Sequence, residues 1–292
     1  MKVLQFTLPV AKEHSVAVVE ETLPHFYNHL HRHNETQITW VIKGEGTLIA
    51  GNYMQQFKSG DIYIIGANQS HIFKSDPAYF DKRRKKNVEA LTVFFNPQGW
   101  FMPLLGLPEM KSLKKFVDSM SFGYMIPADA NKAVAQAMLK VKDARNGLRV
   151  AAFIEFIQLL AGIKTLMPLA NISTEKEITD TEGLRMNDIY QYTMEHYTEN
   201  VSLKKIASIA HLTPHAFCRY FKKHTGKTYV TFINEIRVNE ACKIMLNGNF
   251  DNIASVAYDT GFSNAVTFNR VFRKVIQKSP REYLREYSRK ID

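Results

Sequence analysis

At 292 residues the chain has room for two ordinary domains, and its 45% hydrophobic and 23% charged content is that of a globular protein, not a disordered one. No apolar run approaches the roughly 18 residues needed to span a bilayer, and the opening MKVLQFTLPVAKEHSVAV is broken by Pro9, Lys12, Glu13 and His14, so a signal-peptide core is missing. The only cysteines, Cys218 and Cys242, exclude a disulfide framework and a cysteine-based zinc motif, and the expected setting is the cytoplasm.

Residues 1–96 read as β structure. In TQITWVIKGEGTLIAGNYMQQFKSGDIYIIGANQSHIFKSD, short β-branched and aromatic runs are cut by turn signals at Gly44–Gly46, Gly51–Asn52, Ser59–Gly60 and Gly66–Asn68. Regular short strands with this punctuation predict a sandwich or small barrel. The basic run DKRRKK at 81–86 reads as a solvated loop before a last strand, VEALTVFF.

Two segments inside this region, HLHRHNETQITWVIKGEG and GDIYIIGANQSHIF, resemble the paired motifs of cupins. In metal-binding cupins the first motif supplies two His and a Glu, and the second one further His. His31, His33 and His71 match, but Gln37 stands at the Glu position, and a neutral amide is a weaker ligand than a carboxylate. No cofactor is therefore expected; a divalent metal on the three histidines is the alternative. Otherwise His31 and His33 pack at the barrel mouth, or with Gln37 and His71 line a ligand pocket walled by Trp40, Tyr53, Tyr63 and Phe73, aromatics for which core packing is the commoner fate.

Residues 97–167 turn helical. AVAQAMLKVKDAR and LRVAAFIEFIQLLAGIKTLM carry apolar residues at three- and four-residue spacing on either side of Asn146–Gly147, which predicts two antiparallel helices. The second is apolar around much of its circumference (Val150, Phe153, Ile154, Phe156, Ile157, Leu159, Leu160). That fits burial between the first helix and the β domain, or a dimerisation helix. The polar, aperiodic stretch PLANISTEKEITDTEG at 168–183 reads as an interdomain linker.

The formal charge of +10 is concentrated beyond this linker, where residues 184–292 hold 17 Lys/Arg against 10 Asp/Glu. Such a basic segment suits a polyanionic partner. Here the chain repeats itself. In the second copy, about 252–276, Ile253, Val256 and Ala257 face one way on a short helix and Gly261 suits a tight turn. Ser263 or Asn264 can cap the next helix, and Phe268, Val271, Phe272 and Val275 fall at i, i+3, i+4 and i+7. The first copy, about 202–225, starts with Leu203, Ile206 and Ala207, turns at HLTP with Thr213 as cap, and continues with Phe217, Tyr220, Phe221 and His224. Two short helices, a turn and a basic outer face describe a helix-turn-helix. Leu212 to Phe221 is nine residues and Phe262 to Phe272 is ten, so the second copy carries one extra residue. Between the copies, YVTFINEIRVNEACKIML predicts a helix of roughly 27 Å, long enough to hold two such units about one DNA turn apart, ~34 Å.

Residues 185–290 resemble the DNA-binding domain of AraC/XylS-type transcriptional regulators, on SLKKIASIAHLTPHAFCRYFKKHTGKTYVTFINEIRVNEACKIML and NIASVAYDTGFSNAVTFNRVFRKVIQKSPREY. Gln277 stands where the family often has Gly, and Tyr229 where Pro is common. The resemblance implies a multidomain α+β chain: an N-terminal cupin-like β-barrel, a helical dimerisation element, and a C-terminal all-α double helix-turn-helix domain at 184–292. It also implies a non-enzymatic, effector-responsive activator of transcription. The expected partners are double-stranded DNA, a small effector such as a sugar or other small metabolite, a second copy of the chain, and RNA polymerase; no membrane is expected. By motif position His215, Cys218 and Arg219 face bases in the first unit, and Ala265, Val266, Asn269 and Arg270 in the second. Arg219 and Arg270 suit guanine, Asn269 suits adenine, and Ala265 or Val266 a thymine methyl. Arg270 could instead be an internal hydrogen-bond or salt-bridge partner. Thr213, Lys222, Lys223, Ser263, Thr267, Arg273 and Lys274 are expected at phosphates. The rival reading is a metal-dependent cupin enzyme fused to a DNA-binding domain.

Overall fold

The computed structural model describes residues 14–50, 53–81, 86–169, 180–246, 248 and 250–288. The turn at Gly51–Asn52, most of the basic run at 81–86 and most of the 168–183 linker lie outside the described residues. The chain divides into two compact units, Met1–Gly183 and Leu184–Asp292.

The first unit holds β1 (Ala17–Leu23), β2 (Thr36–Lys43), β3 (Gly46–Ala50), β4 (Tyr53–Phe57), β5 (Ile62–Ile65), β6 (His71–Ser75), β7 (Val88–Phe95), β8 (Tyr124–Met125) and β9 (Met167–Pro168). They pair antiparallel into two sheets, one in the order β1-β7-β2-β5-β8-β9 and a smaller one in the order β4-β3-β6. Residues His31 and His71 form an isolated bridge, with reciprocal backbone hydrogen bonds of 3.1 and 2.9 Å. This is a double-sheet, cupin-like arrangement in which, among the described residues, the strand pairing does not close into one continuous barrel. The larger sheet is covered on both faces, which is why its strands read as near-continuous apolar runs and not as clean alternation. Ile38, Ile62, Ile64, Leu91 and Val93 face the helices, while Val41, Tyr63, Ile65 and Ala90 face the small sheet across Leu48, Phe57 and Phe73.

The helical cover is α1 (Met102–Leu105), α2 (Lys111–Ser119), α3 (Asn131–Asp143) and α4 (Asn146–Ala161). The two antiparallel helices expected from the spacing are α3 and α4, joined across Ala144–Arg145 and tied by Lys140 to Glu155 at 2.6 Å. α4 buries Ala152, Phe153, Phe156, Ile157 and Leu160, with the Phe153 ring 4.9 Å from Phe95 and 5.0 Å from Phe101. Most of its excess apolar surface is thus core, and Leu148 and Leu159 stay exposed. Two short strands, β8 and β9, extend the large sheet inside a region that reads as wholly helical, because two-residue strands carry no periodic signal. The linker is also narrower than its composition suggests. Pro168 lies in β9, Leu169 is buried, and the chain is already helical from Asp180.

The second unit is all-helical: α5 (Asp180–His196), α6 (Leu203–Ile209), α7 (Pro214–Thr225), α8 (Tyr229–Leu246), α9 (Ile253–Asp259), α10 (Ala265–Ile276) and α11 (Pro280–Ser288). It contains two cores that share α8. Tyr229, Phe232, Ile233 and Ile236 pack toward Phe217 and Phe221 of α7, whereas Val238, Ala241, Cys242 and Met245 join Val256, Ala257, Phe262, Phe268 and Phe272. A helix serving two cores needs apolar residues around its girth, so α8 lacks a single stripe.

The two family departures have local consequences. Tyr229 opens α8 where Pro280 opens α11; its buried ring packs 5.4 Å from both Phe217 and Phe221, and its hydroxyl pairs with Thr193 Oγ1 at 3.0 Å. Gln277 closes α10 in the left-handed region at φ 63, where Gly226 closes α7 at φ 70. A side chain there costs about 1–2 kcal/mol, partly offset by Gln277 Nε2 donating to the Lys274 carbonyl at 2.8 Å. Gln277→Gly should therefore stabilise the second unit by about 0.5–1 kcal/mol, read as a higher urea midpoint at unchanged slope.

Candidate functional sites: two exposed helices and a histidine cluster

Each helix-turn-helix is built by the same local chemistry. In the first, α6 ends at Ile209, His211 turns the chain at φ 53, and Leu212 N–H donates to the Ala207 carbonyl. Thr213 Oγ1 then accepts from Ala216 N–H at 3.3 Å and caps α7, with Pro214 in its first turn. In the second, α9 ends at Asp259, Gly261 turns at φ 88, Phe262 N–H donates to the Ala257 carbonyl, and Asn264 Oδ1 accepts from Thr267 N–H at 2.7 Å. The left-handed residue and the cap are two apart in the first unit and three apart in the second. The extra residue, Ser263, sits inside the turn.

The aromatics anchor both helices inward: Phe217, Phe221, Phe268 and Phe272 are fully buried. On the outer faces His215, Cys218, Arg219, Lys222 and Lys223 are exposed on α7, as are Val266, Asn269, Arg270, Arg273 and Lys274 on α10; Ala265 and Thr267 are half-buried. Val266 is 80% exposed. Arg219 and Arg270 are exposed and make no hydrogen bond or ion pair among the described residues. Thr213 is exposed but its hydroxyl is committed to the cap, and Ser263 is exposed in the turn.

In the N-terminal unit, Met1–Gly183, a cavity of about 350 Å³ opens between the sheets. His31, His33, Gln37 and Phe73 line it, as expected. His71 lies fully buried behind Gln37. Trp40 points to the opposite face of β2, toward the helices, because side chains alternate along a strand. Tyr63 and Tyr53 belong to the inter-sheet core, their hydroxyls bonded to Asp61 Oδ2 and Met125 Sδ. None of these three lines the cavity. The residues that sequence reasoning missed are Glu21, Leu23, Thr92 and Phe94 on β1 and β7, and Pro24–Tyr27 after β1. The aromatic and histidine density of PHFYNHLHRH was the available signal.

The three histidines are oriented by their own backbone. Nδ1 of His31, His33 and His71 lies 3.0, 2.8 and 2.8 Å from the carbonyl oxygens of His29, Glu35 and Gln69. A carbonyl only accepts, so each Nδ1 carries a proton and each neutral ring offers Nε2 as a lone pair. Burial keeps the rings neutral: it pushes His31 down to about 4, lowers His33, and lowers His71 well below its usual value with help from the neighbouring imidazoles. One nitrogen of each ring lies within 4.8 Å of the others, and backbone carbonyls hold each ring by its Nδ1, an arrangement that suits a metal.

Gln37 occupies the middle of this group. Its Oε1, as placed, lies 2.9 Å from His33 Nε2 and 3.1 Å from His71 Nε2, and its Nε2 lies 2.7 Å from Thr39 Oγ1. Three acceptors would then face one another with no proton between them. Only partners tell amide oxygen from nitrogen, and the turned amide satisfies every atom. Its two N–H groups then donate to the two Nε2 atoms, and its oxygen accepts from Thr39, whose hydroxyl is 3.1 Å from that of Thr92. The imidazoles suit a divalent ion, but the fourth position does not. A carboxamide there closes the cluster by itself, without charge.

A family model described as a helix-turn-helix domain matches residues 206–286. The chain is 22% identical over 273 residues to the HTH-type transcriptional activator RhaS of Enterobacter sp. (strain 638), covering 92% of each. It is 24% identical over 276 residues to RhaS of Escherichia fergusonii, covering 93% of this chain and 92% of that one. A shorter likeness, 30% over 99 residues, links 34% of this chain to 32% of the regulatory protein PocR of Salmonella typhimurium.

Two measurements follow from the histidine cluster. The folded-state pKa values lie below the ordinary ~6.5, so the unfolded chain binds more protons as the pH falls through that value. The stability of the first unit should be full above pH 6.5 and decline steadily toward pH 4, seen as a falling urea midpoint of its unfolding transition. Gln37→Glu should create a divalent-metal site: the variant is expected to retain zinc or manganese through gel filtration, measured by plasma mass spectrometry, where the unaltered chain retains none.

Proposed function

We propose that this chain, a member of the AraC/XylS family of DNA-binding transcriptional regulators, inserts α7 and α10 into successive major grooves and is governed by a small molecule held in its N-terminal cavity. The observation that carries the first part is the pair of outward basic faces on equivalent helices, each with an arginine that has no partner within the described chain. Guanidinium groups left without internal partners are free to bond guanine O6 and N7 together. Lys222, Lys223, Arg273 and Lys274 then supply phosphate contacts that set register and salt dependence without reading sequence.

The two units do not present the same chemistry. The first offers an imidazole, a thiol and an arginine; the second offers two apolar side chains, an amide and an arginine behind a longer turn. They therefore read different half-sites.

The cavity supports an uncharged polar organic effector. Neutral imidazoles, the Gln37 amide, Tyr27 and Thr92 offer hydrogen bonds, and Leu23, Phe26, Phe73 and Phe94 offer apolar walls. Glu21 is the one carboxylate in the lining, and burial pushes its carboxyl upward from the usual carboxylate range. A sugar or other small metabolite fits this chemistry. Such a ligand shifts DNA binding only if it favours one arrangement of the chain over another. The rest of the reading is activation through RNA polymerase by a chain that pairs through the helical element, where Leu148 and Leu159 are exposed.

A second reading, a metal-dependent enzyme joined to a DNA-binding domain, draws on the convergence of His31, His33 and His71. One tightly held iron, manganese or zinc ion per chain in the unaltered protein would favour it.

The experiment for the main reading is selection of double-stranded DNA from a random pool by the intact protein, repeated with Arg219→Ala and Arg270→Ala. Each variant should lose preference at one or two base pairs in its own half-site, worth about 1–3 kcal/mol of discrimination, and keep preference in the other half. Unchanged selectivity in both variants would remove these arginines from the reading set.

A further inference from the structure

At the midpoint of α8, Arg237 leaves the helix to do something neither core requires. Its Nε donates to the Tyr197 carbonyl at 2.7 Å and its Nη2 to the Glu199 carbonyl at 2.8 Å. Both acceptors lie in the segment between α5 and α6, at the entrance to the first helix-turn-helix. The same guanidinium lies 5.6 Å from the centre of the Phe262 ring, which is buried in the turn of the second unit and packs 5.3 Å from Phe268 of α10. One side chain thus touches the first unit's entry segment and the second unit's turn.

The backbone closes the same junction from the other side. A methyl group at Gly261 would lie 2.7 Å from the carbonyl oxygens of both Tyr197 and Thr198, and Gly261 also adopts φ 88. The turn of the second unit therefore sits directly on the 197–198 backbone, at a distance only glycine allows. Charge-assisted bonds from a fork-shaped donor to two carbonyls, with the ring stacked against the same group, make a directional joint and not a greasy contact.

We infer that Arg237, with Gly261, is the clamp that fixes the spacing and rotation of α10 relative to α7, and so sets the allowed distance between the two half-sites. This rests on the reading that both helices bind DNA at once. The lever is sensitive. Over half the ~34 Å separation of successive grooves, a rotation of about 10° moves a recognition helix by about 3 Å, close to the ~3.4 Å base step. Arg237 contacts no base in this account; it is a positioning residue, and its effect appears in spacing and not in sequence preference.

The test uses the intact protein and the DNA selected by it, with variants of that DNA in which one or two base pairs are inserted between the half-sites. For the unaltered protein each insertion should cost roughly tenfold or more in affinity, because a rigid joint cannot bring both units to register. Arg237→Met keeps the apolar stem and removes the fork. It should bind the original site about five- to tenfold more weakly yet lose less than about threefold on insertion, with both half-site sequences unchanged. Arg237→Lys, with one donor nitrogen in place of the fork's two, should fall between. If both variants keep the full insertion penalty, the clamp is refuted. Loss of the folded C-terminal unit, Leu184–Asp292, in Arg237→Met, seen by circular dichroism, would refute it too, since Arg237 would then build that unit and not position its two halves. If the unaltered protein selects one motif without a second half, it is the two-unit reading that fails.

Discussion

One helix has to belong to two hydrophobic cores at once, and most of the C-terminal unit follows from that. The first half of α8 completes the aromatic cluster around Phe217 and Phe221, and its second half completes the cluster around Phe268 and Phe272. Each helix-turn-helix is too small to bury a core alone, so each borrows one face of α8. The cost is that α8 has no single apolar stripe and no freedom to rotate without disturbing both cores. Two recognition helices held by one rigid element are thereby set at one separation, and Arg237 lies at its midpoint, where a joint between the units has most leverage.

The N-terminal unit is organised by a different constraint, the need to satisfy buried polar atoms without charge. Three imidazoles each give a proton to a backbone carbonyl, and the lone pairs of His33 and His71 find a two-proton donor in Gln37. Had residue 37 been a carboxylate, the same cluster would hold negative charge with no proton to share, and a cation would be the natural remedy. The amide makes a neutral wall. A regulator's pocket benefits from such a wall, because ligand hydroxyls can compete for its hydrogen bonds without displacing an ion.

How far this could be read in the sequence depended on whether a feature was carried by a repeat or by a tertiary approach. The aromatic spacing of Phe217 and Phe221, repeated at Phe268 and Phe272, marked both helix-turn-helix units, and the nine-against-ten count located the extra residue that proves to be Ser263. Thr213 was legible as a cap for the same local reason, and the second cap was narrowed to Ser263 or Asn264, of which the structure uses Asn264. His31, His33, Gln37 and Phe73 were legible through motif spacing, whereas Trp40 was misplaced because strand alternation sends it to the helical face. Tyr53 and Tyr63 went to the core, where aromatics most often go. Glu21, Thr92 and Phe94 reach the cavity only because β1 pairs with β7 and β7 with β2, a register no local pattern announces. Arg237 was visible only as one more residue of a helix, since its partners lie about 40 positions earlier.

In the proposed mode of binding, two unlike reading units held at one separation grip one face of DNA together. Hydroxyl-radical footprinting of the intact protein on its selected DNA tests it most directly. The account predicts two protected windows of unlike sequence, centred about 10 base pairs apart on the same face of the duplex. A single protected window, or two windows with the same sequence beneath them, would contradict it.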